Sequence, residues 1–160
     1  MPYLSLVPLL ILLLVPSPGW SWSGSVTDVV HGCHLRVQSE QQVQEIVLYG
    51  IDCPELDEPF GEEAQQFTAQ QSLDKTVAVR PLRQSGNKVL AVVSLPDSDH
   101  SLNALLLQNG LAWVHQAYCE KARMCGRWEH VEGRARKSGL GLWSKVPENV
   151  PAWRWLKERR

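Results

Sequence analysis

Residues 29–37 read V-V-H-G-C-H-L-R-V, and residues 48–55 read L-Y-G-I-D-C-P-E. In the first stretch, β-branched and apolar residues stand on both sides of a His-Gly turn, the pattern of two strands joined tightly. The second is an apolar run ending in a turn around a proline. Working outward, residues 25–30 and 34–37 are predicted strands. Residues 43–48 form a third, after the polar turn Ser39-Glu40-Gln41-Gln42. The period then changes. Phe60, Ala64 and Phe67 fall at helical spacing, and Glu62 and Glu63 stand early enough to suit the helix dipole, so a helix is predicted over 60–73. Residues 76–80 and 89–95 are two more strands around the polar turn 83–87. Residues 102–108 are a short helix, with Ser101 as N-cap and Gly110 just past its end. A last helix spans 128–138, with Gly139 as its stop.

The order β-β-β-α-β-β-α-α suits an α+β fold: a five-stranded Greek-key barrel of OB type with about three α-helices. At 160 residues the chain holds one domain with a substantial core. Residues 4–15 are almost wholly apolar, and no charged side chain precedes Asp28. The run is shorter than the roughly 20 residues that cross a bilayer. Pro16 and Pro18 break it, and Ser21-Trp22-Ser23 offers small residues at signal-peptidase spacing. Residues 1–23 are therefore expected to be an export signal cleaved after Ser23, taking Trp20 and Trp22 with it. Residues 24–160 are then the domain, in a secreted or periplasmic protein. An uncleaved anchor is the competing reading.

Four cysteines remain, Cys33, Cys53, Cys119 and Cys125, and an even count in an exported chain suggests two disulfides. Four cysteines allow three pairings. The formal net charge of −1 gives no global attraction to phosphate backbones. The basic groups Arg134, Arg136, Lys137 and Arg154, Lys157, Arg159, Arg160 read best as solvated helix and tail faces. Trp113 and Trp143 stand among apolar neighbours and are expected in the core. His100 and His130 read as surface positions.

These stretches, with P-F-G-E-E-A at 59–64, L-A-V-V at 90–93, L-N-A-L-L-L-Q-N-G-L-A-W-V at 102–114, R-x-x-G-L-G-L-W ending at Trp143 and V-P-A-W-R-W at 150–155, resemble a staphylococcal-type thermonuclease domain. The resemblance spans about 25–155. It implies an OB barrel and a calcium-dependent phosphodiester hydrolase acting on DNA or RNA. It places the family's aspartate calcium ligands at Cys33 and Asp52, a carbonyl donor at Cys53 and the water-activating glutamate at Glu55. One phosphate-binding arginine falls at Val47 and the other at Lys88. A pocket aromatic survives as Tyr118, while its partner position is Gln116. Asp52 and Glu55 stand, Lys88 is a weaker substitute, and Cys33 and Val47 are losses.

The implied domain is thus a degenerate nuclease, with Asp52 a vestigial calcium position and Glu55 and Lys88 vestigial catalytic ones. It is expected to act as a module for single-stranded nucleic acid or another extended ligand, with Tyr118 and Lys88 in the binding groove. Weak calcium-dependent cleavage and a purely structural or protein-interaction role are the alternatives. Because the family's Cys33 and Cys53 positions converge on one ion, the resemblance implies a Cys33–Cys53 disulfide, leaving Cys119–Cys125 to close a small loop. Zinc or copper held by His31 and Cys33 with Asp52, His34 or Cys53 is the weaker reading. In a regular strand His31 and Cys33 share a face and His34 points away, and thiolates would face an oxidising compartment.

Overall fold

The computed structural model describes residues 20–148 and 150–159. Residues 1–19, most of the expected export signal, lie outside that range. Five strands close a barrel: β1 (Trp22–His31), β2 (His34–Gln38), β3 (Val43–Leu48), β5 (Thr76–Ser85) and β6 (Lys88–Ser94). Their order is β1-β2-β3-β6-β5. All contacts are antiparallel except β3 with β6, which is parallel. Closure leaves the barrel without a free edge. The short β4 (Ile51–Asp52) pairs with β7 (Trp113–Val114) in a separate antiparallel ladder.

Alternation along the strands fills the interior. Leu35, Ile46, Val79, Ala91 and Val93 are fully buried, and Val26, Val37 and Val77 line the same core. Helix α1 (Gly61–Ser72) packs on the β1–β2 turn. Thr68 Oγ1 donates to the Gly32 carbonyl at 2.7 Å, and Gln65 Nε2 donates to the carbonyls of Val29 and Val30. Gly32 admits that approach, because a Cβ there would stand 2.7 Å from the Ala64 Cβ.

Helix α2 (Leu102–Gln108) is capped as expected, with the Ser101 hydroxyl accepting from the Ala104 N–H, and Gly110 follows at φ +66°. Its Asn103 is fully buried and ties the barrel together. Asn103 Nδ2 donates to the carbonyls of Tyr49 and Ala91, and Oδ1 accepts from the Val93 N–H. A buried amide satisfied on both sides in this way holds β6 and the end of β3 in one register.

Helix α3 (Ala122–Lys137) starts six residues before the expected 128, and α4 (Ala152–Lys157) covers residues that the sequence shows only as a motif. Trp113, Trp143 and Trp155 are buried in a second apolar cluster under α3 and α4. Arg136 straps α4 down, donating to the carbonyls of Pro147, Glu148 and Val150 while its guanidinium stacks over Trp143. That cationic residue is therefore a structural tie rather than a solvated face. Among the described residues, no helix is long and apolar enough to cross a membrane. Trp22 and Ser23 are strand residues paired with Val79 and Ala78, and Trp22 packs against the core.

Candidate functional site

One row of cross-strand partners runs around the barrel. His31 on β1 pairs with His34 on β2, His34 with Val47 on β3, Val47 with Leu90 on β6, and Leu90 with Arg83 on β5. Residues directly opposite one another share a face of the sheet. The neighbouring partners Leu35, Ile46 and Val89 face the core instead. The next row on the same outward face is Arg36, Glu45, Lys88 and Ser85.

The His31 and His34 rings meet edge to face, with centroids 5.5 Å apart. This corrects the expectation that His34 points away. The strand ends at His31, Gly32-Cys33 makes the turn, and counting alternate residues across a reversal assigns the wrong face. Burial holds both imidazoles below their ordinary pKa. Glu55 opposes this at His31, and Lys88 reinforces it at both rings. His31 Nδ1 accepts from the Cys33 N–H at 3.3 Å, so its free donor is Nε2. Lys88 and Glu55, distant in sequence, thus converge electrostatically on His31.

Cys33 and Cys53 are disulfide-bonded with Cα atoms 5.6 Å apart, and Cys119 and Cys125 form a second bridge. Both pairings agree with the expectation, and no free cysteine remains among the described residues. The first bridge joins the β1–β2 turn to the residue after Asp52. Asp52 is positioned by the β4–β7 ladder, opposite Trp113. Gly50 makes the preceding turn at φ +71°, with the Cys119 sulfur 2.8 Å from where a Cβ would sit. Burial raises the Asp52 carboxyl from 3.8 to about 6, against the Cys53 N–H donated to its Oδ1 at 3.0 Å. Glu55 sits on the exposed turn that follows, its N–H donating to a Glu58 carboxylate oxygen at 2.8 Å.

The calcium implied by the resemblance does not fit this donor set. A hard cation takes six to eight oxygen ligands. The Cys33 sulfur is bonded to sulfur, so of the two aspartate positions that the resemblance assigns to the ion, Asp52 alone retains a carboxylate. Among the described residues there is no group of three or more His, Cys, Asp or Glu side chains arranged to hold a metal ion, and the thiolates that the zinc or copper reading uses at positions 33 and 53 are bonded to each other.

A cavity of about 250 Å³ opens beside Asp52, lined among others by Val47, Leu90, Arg83, His115 and Tyr118. Tyr118 lies half-exposed at the mouth with its ring 4.3 Å from His115, centroid to centroid. The loop carrying Tyr118 is held by the Cys119–Cys125 bridge and by the buried Tyr49, whose hydroxyl accepts from the Glu120 N–H at 2.8 Å. Gln116 lines a separate, larger cleft of about 700 Å³ with Trp113, Trp143 and Trp153. His115 lines both spaces. Beneath that cleft Glu132 accepts from the Val114 N–H at 2.7 Å, and burial raises its pKa.

Arg83 and His115 belong to this site and do not stand out in the sequence. Arg83 reads there as part of a polar turn. Pro81 within an otherwise strand-like run is the available sign of a bulge.

Residues 45–145 match the family described as "Staphylococcal nuclease homologue". The chain is 30% identical to micrococcal nuclease of Shigella flexneri over 156 residues, covering 92% of this chain and 88% of that protein. It is 28% identical to protein ParB of Escherichia coli over 158 residues, 93% of this chain and 88% of the other. A third similarity, 28% over 133 residues, is to an uncharacterised endonuclease of Escherichia coli, covering 82% of this chain and 83% of that one.

Proposed function

This chain belongs to the staphylococcal nuclease family, and we propose that it is an exported member that binds nucleic acid and has lost most of the calcium-dependent cleavage that the family resemblance implies. The observation that carries the reading is the Cys33–Cys53 disulfide, which joins two of the three positions where the resemblance places calcium ligation and consumes the side chain at one of its two aspartate positions. With the sulfur atoms bonded to each other, no side chain at position 33 can hold the ion. The loss of a guanidinium at Val47 acts in the same direction, since removing one donor to a transition-state oxyanion costs about 10²–10³ in rate. Together these losses correspond to a decrease on the order of 10⁴, short of strict additivity.

Export is supported by the two disulfides, which persist in oxidising compartments. Binding is supported by the outward face of the barrel. Arg36 and Lys88 lie in one row and Arg83 in the next, with the aromatic Tyr118 at the cavity mouth. Cationic strands beside exposed rings are the means by which such barrels hold single strands.

The test is a fluorescein-labelled single-stranded oligonucleotide, as DNA and as RNA, incubated with the protein with and without calcium. The expected result is salt-sensitive binding with the oligonucleotide left intact. Robust calcium-dependent cleavage that falls on Glu55→Gln would overturn the reading.

A further inference from the structure

We propose that Arg83 on β5 is the phosphate anchor of this barrel, a guanidinium supplied from a different strand to the place that Val47 leaves without one. The inference rests on the nucleic-acid reading above and adds the residue and the ligand group: a phosphodiester oxygen of a single strand.

The geometry is that of the transverse row. Val47 and Arg83 both oppose Leu90, one from each side of β6, and all three line the cavity beside Asp52. A side chain on β5 can therefore serve the same space as one on β3.

The register of β5 places it there. Pro81 opposes Ala91, whereas Arg83 opposes Leu90, so Leu82 is an extra residue in the strand. Ala91 is a fully buried core residue, while Leu90 is a partly buried residue lining the cavity. A regular ladder continued from Pro81 would set Leu82 against Leu90 and Arg83 against Val89, which lies in the core. The bulge thus re-aims one side chain, the recurrent use of an inserted strand residue beside a site.

Arg83 is also available. Its side chain is 48% exposed, and it has one ion pair, Nη1 to Glu120 Oε1 at 3.3 Å, to a carboxylate that is 64% exposed. An exposed pair of this kind contributes little, so a phosphate can displace it and accept from two parallel N–H donors of the planar fork. Glu120 then acts as the internal competitor, held in place through its N–H bond to the Tyr49 hydroxyl.

The experiment measures binding of a fluorescein-labelled single-stranded hexanucleotide by anisotropy across a salt series. The variants are Arg83→Gln, Arg83→Lys, Glu120→Gln and, as a charge-matched control that does not line the cavity, Arg134→Gln. Arg83→Gln should weaken binding about tenfold, the loss of one charged hydrogen-bonding group. It should also reduce the slope of log K against log salt by about 0.7, the signature of one phosphate contact on a single strand. Arg83→Lys should retain the slope while losing part of the affinity, and Glu120→Gln should tighten binding by about two- to threefold. Arg134→Gln should change the affinity less than Arg83→Gln. Wild-type binding that is indifferent to Arg83→Gln, or equally sensitive to Arg134→Gln, overturns the assignment of Arg83 alone. No binding by the wild type at low salt overturns the nucleic-acid reading and the ligand assigned here with it.

Discussion

Replacing Asp52 by asparagine should stabilise this protein at pH 8 and leave it unchanged at pH 3. In the folded chain burial raises the carboxyl from 3.8 to about 6. A group whose folded pKa lies above its unfolded value favours folding while protonated in both states. That contribution is complete below pH 3.8 and is lost as the pH rises through about 6. A gap of about two pH units is worth about 3 kcal/mol, so above pH 7 the ionised carboxylate opposes folding by up to that amount. The side-chain amide of the Asp52→Asn variant would keep an oxygen for the Cys53 N–H that Asp52 Oδ1 now accepts and carry no charge at any pH. Thermal melts followed by circular dichroism should then show the variant's Tm higher by roughly 5–10 °C at pH 8, with the difference vanishing toward pH 3. Calcium at 10 mM should leave the wild-type Tm within about 1 °C, since a ligand stabilises only what it binds. A variant less stable than the wild type at pH 8, or a wild type that calcium stabilises by several degrees, would mean that Asp52 is held ionised by a cation, and the reasoning would fail.

Four further outcomes are expected. Removing the Cys33–Cys53 bridge as a double alanine variant should cost about 3 kcal/mol, and removing Cys119–Cys125 about 2 kcal/mol, because the first closes the longer loop; urea unfolding compares them. Asn103→Ala should destabilise by about 3 kcal/mol, since three backbone groups of the barrel lose their partner, and urea melts should show this without a change in the disulfides. Tyr49→Phe should leave the fold intact while loosening the loop that carries Tyr118 and Glu120, read as faster amide exchange over 116–121. If the export proposed above holds, mass spectrometry of the full-length gene product recovered after secretion finds its N-terminus near residue 24; retention of Trp22 would move the cleavage point upstream and preserve its pairing with Val79.

The barrel is legible in the sequence because its signals are local and repeated. Period-two strands, the Ser101 cap and the glycines at 110 and 139 each act within a few residues; the structure places the cap and the glycines as read, while β5 runs on to Ser85 through most of the expected turn 83–87. Around the cavity the resemblance supplies Asp52 and Tyr118, and it implies the Cys33–Cys53 pairing that the structure contains; Glu55 and Lys88, which it also supplies, do not line that cavity. What it does not supply depends on register. The facing of His34 is set by a turn that reverses the strand, and that of Arg83 by an extra residue, Leu82, between two otherwise regular ladders. Neither follows from spacing, because a single inserted residue exchanges the faces of everything beyond it. The two-residue strands β4 and β7 escape a sequence reading for a related reason. Too short to show a period, they form because Gly50 turns the chain and the Ile51–Val114 pairing completes the ladder. Arg136 shows the converse, a residue whose composition suggests solvent and whose hydrogen bonds fasten α4.

The strap linking position 33 to position 53 has an environmental consequence. A domain clamped through dissolved calcium loosens when chelators strip the ion and recovers when it returns. Here a disulfide joins the corresponding positions, a bond that chelators do not open and thiol reductants would sever, parting the hairpin tip from the loop beyond β4. For the exported protein proposed above, the persistence of that tie is set by the redox chemistry of its surroundings.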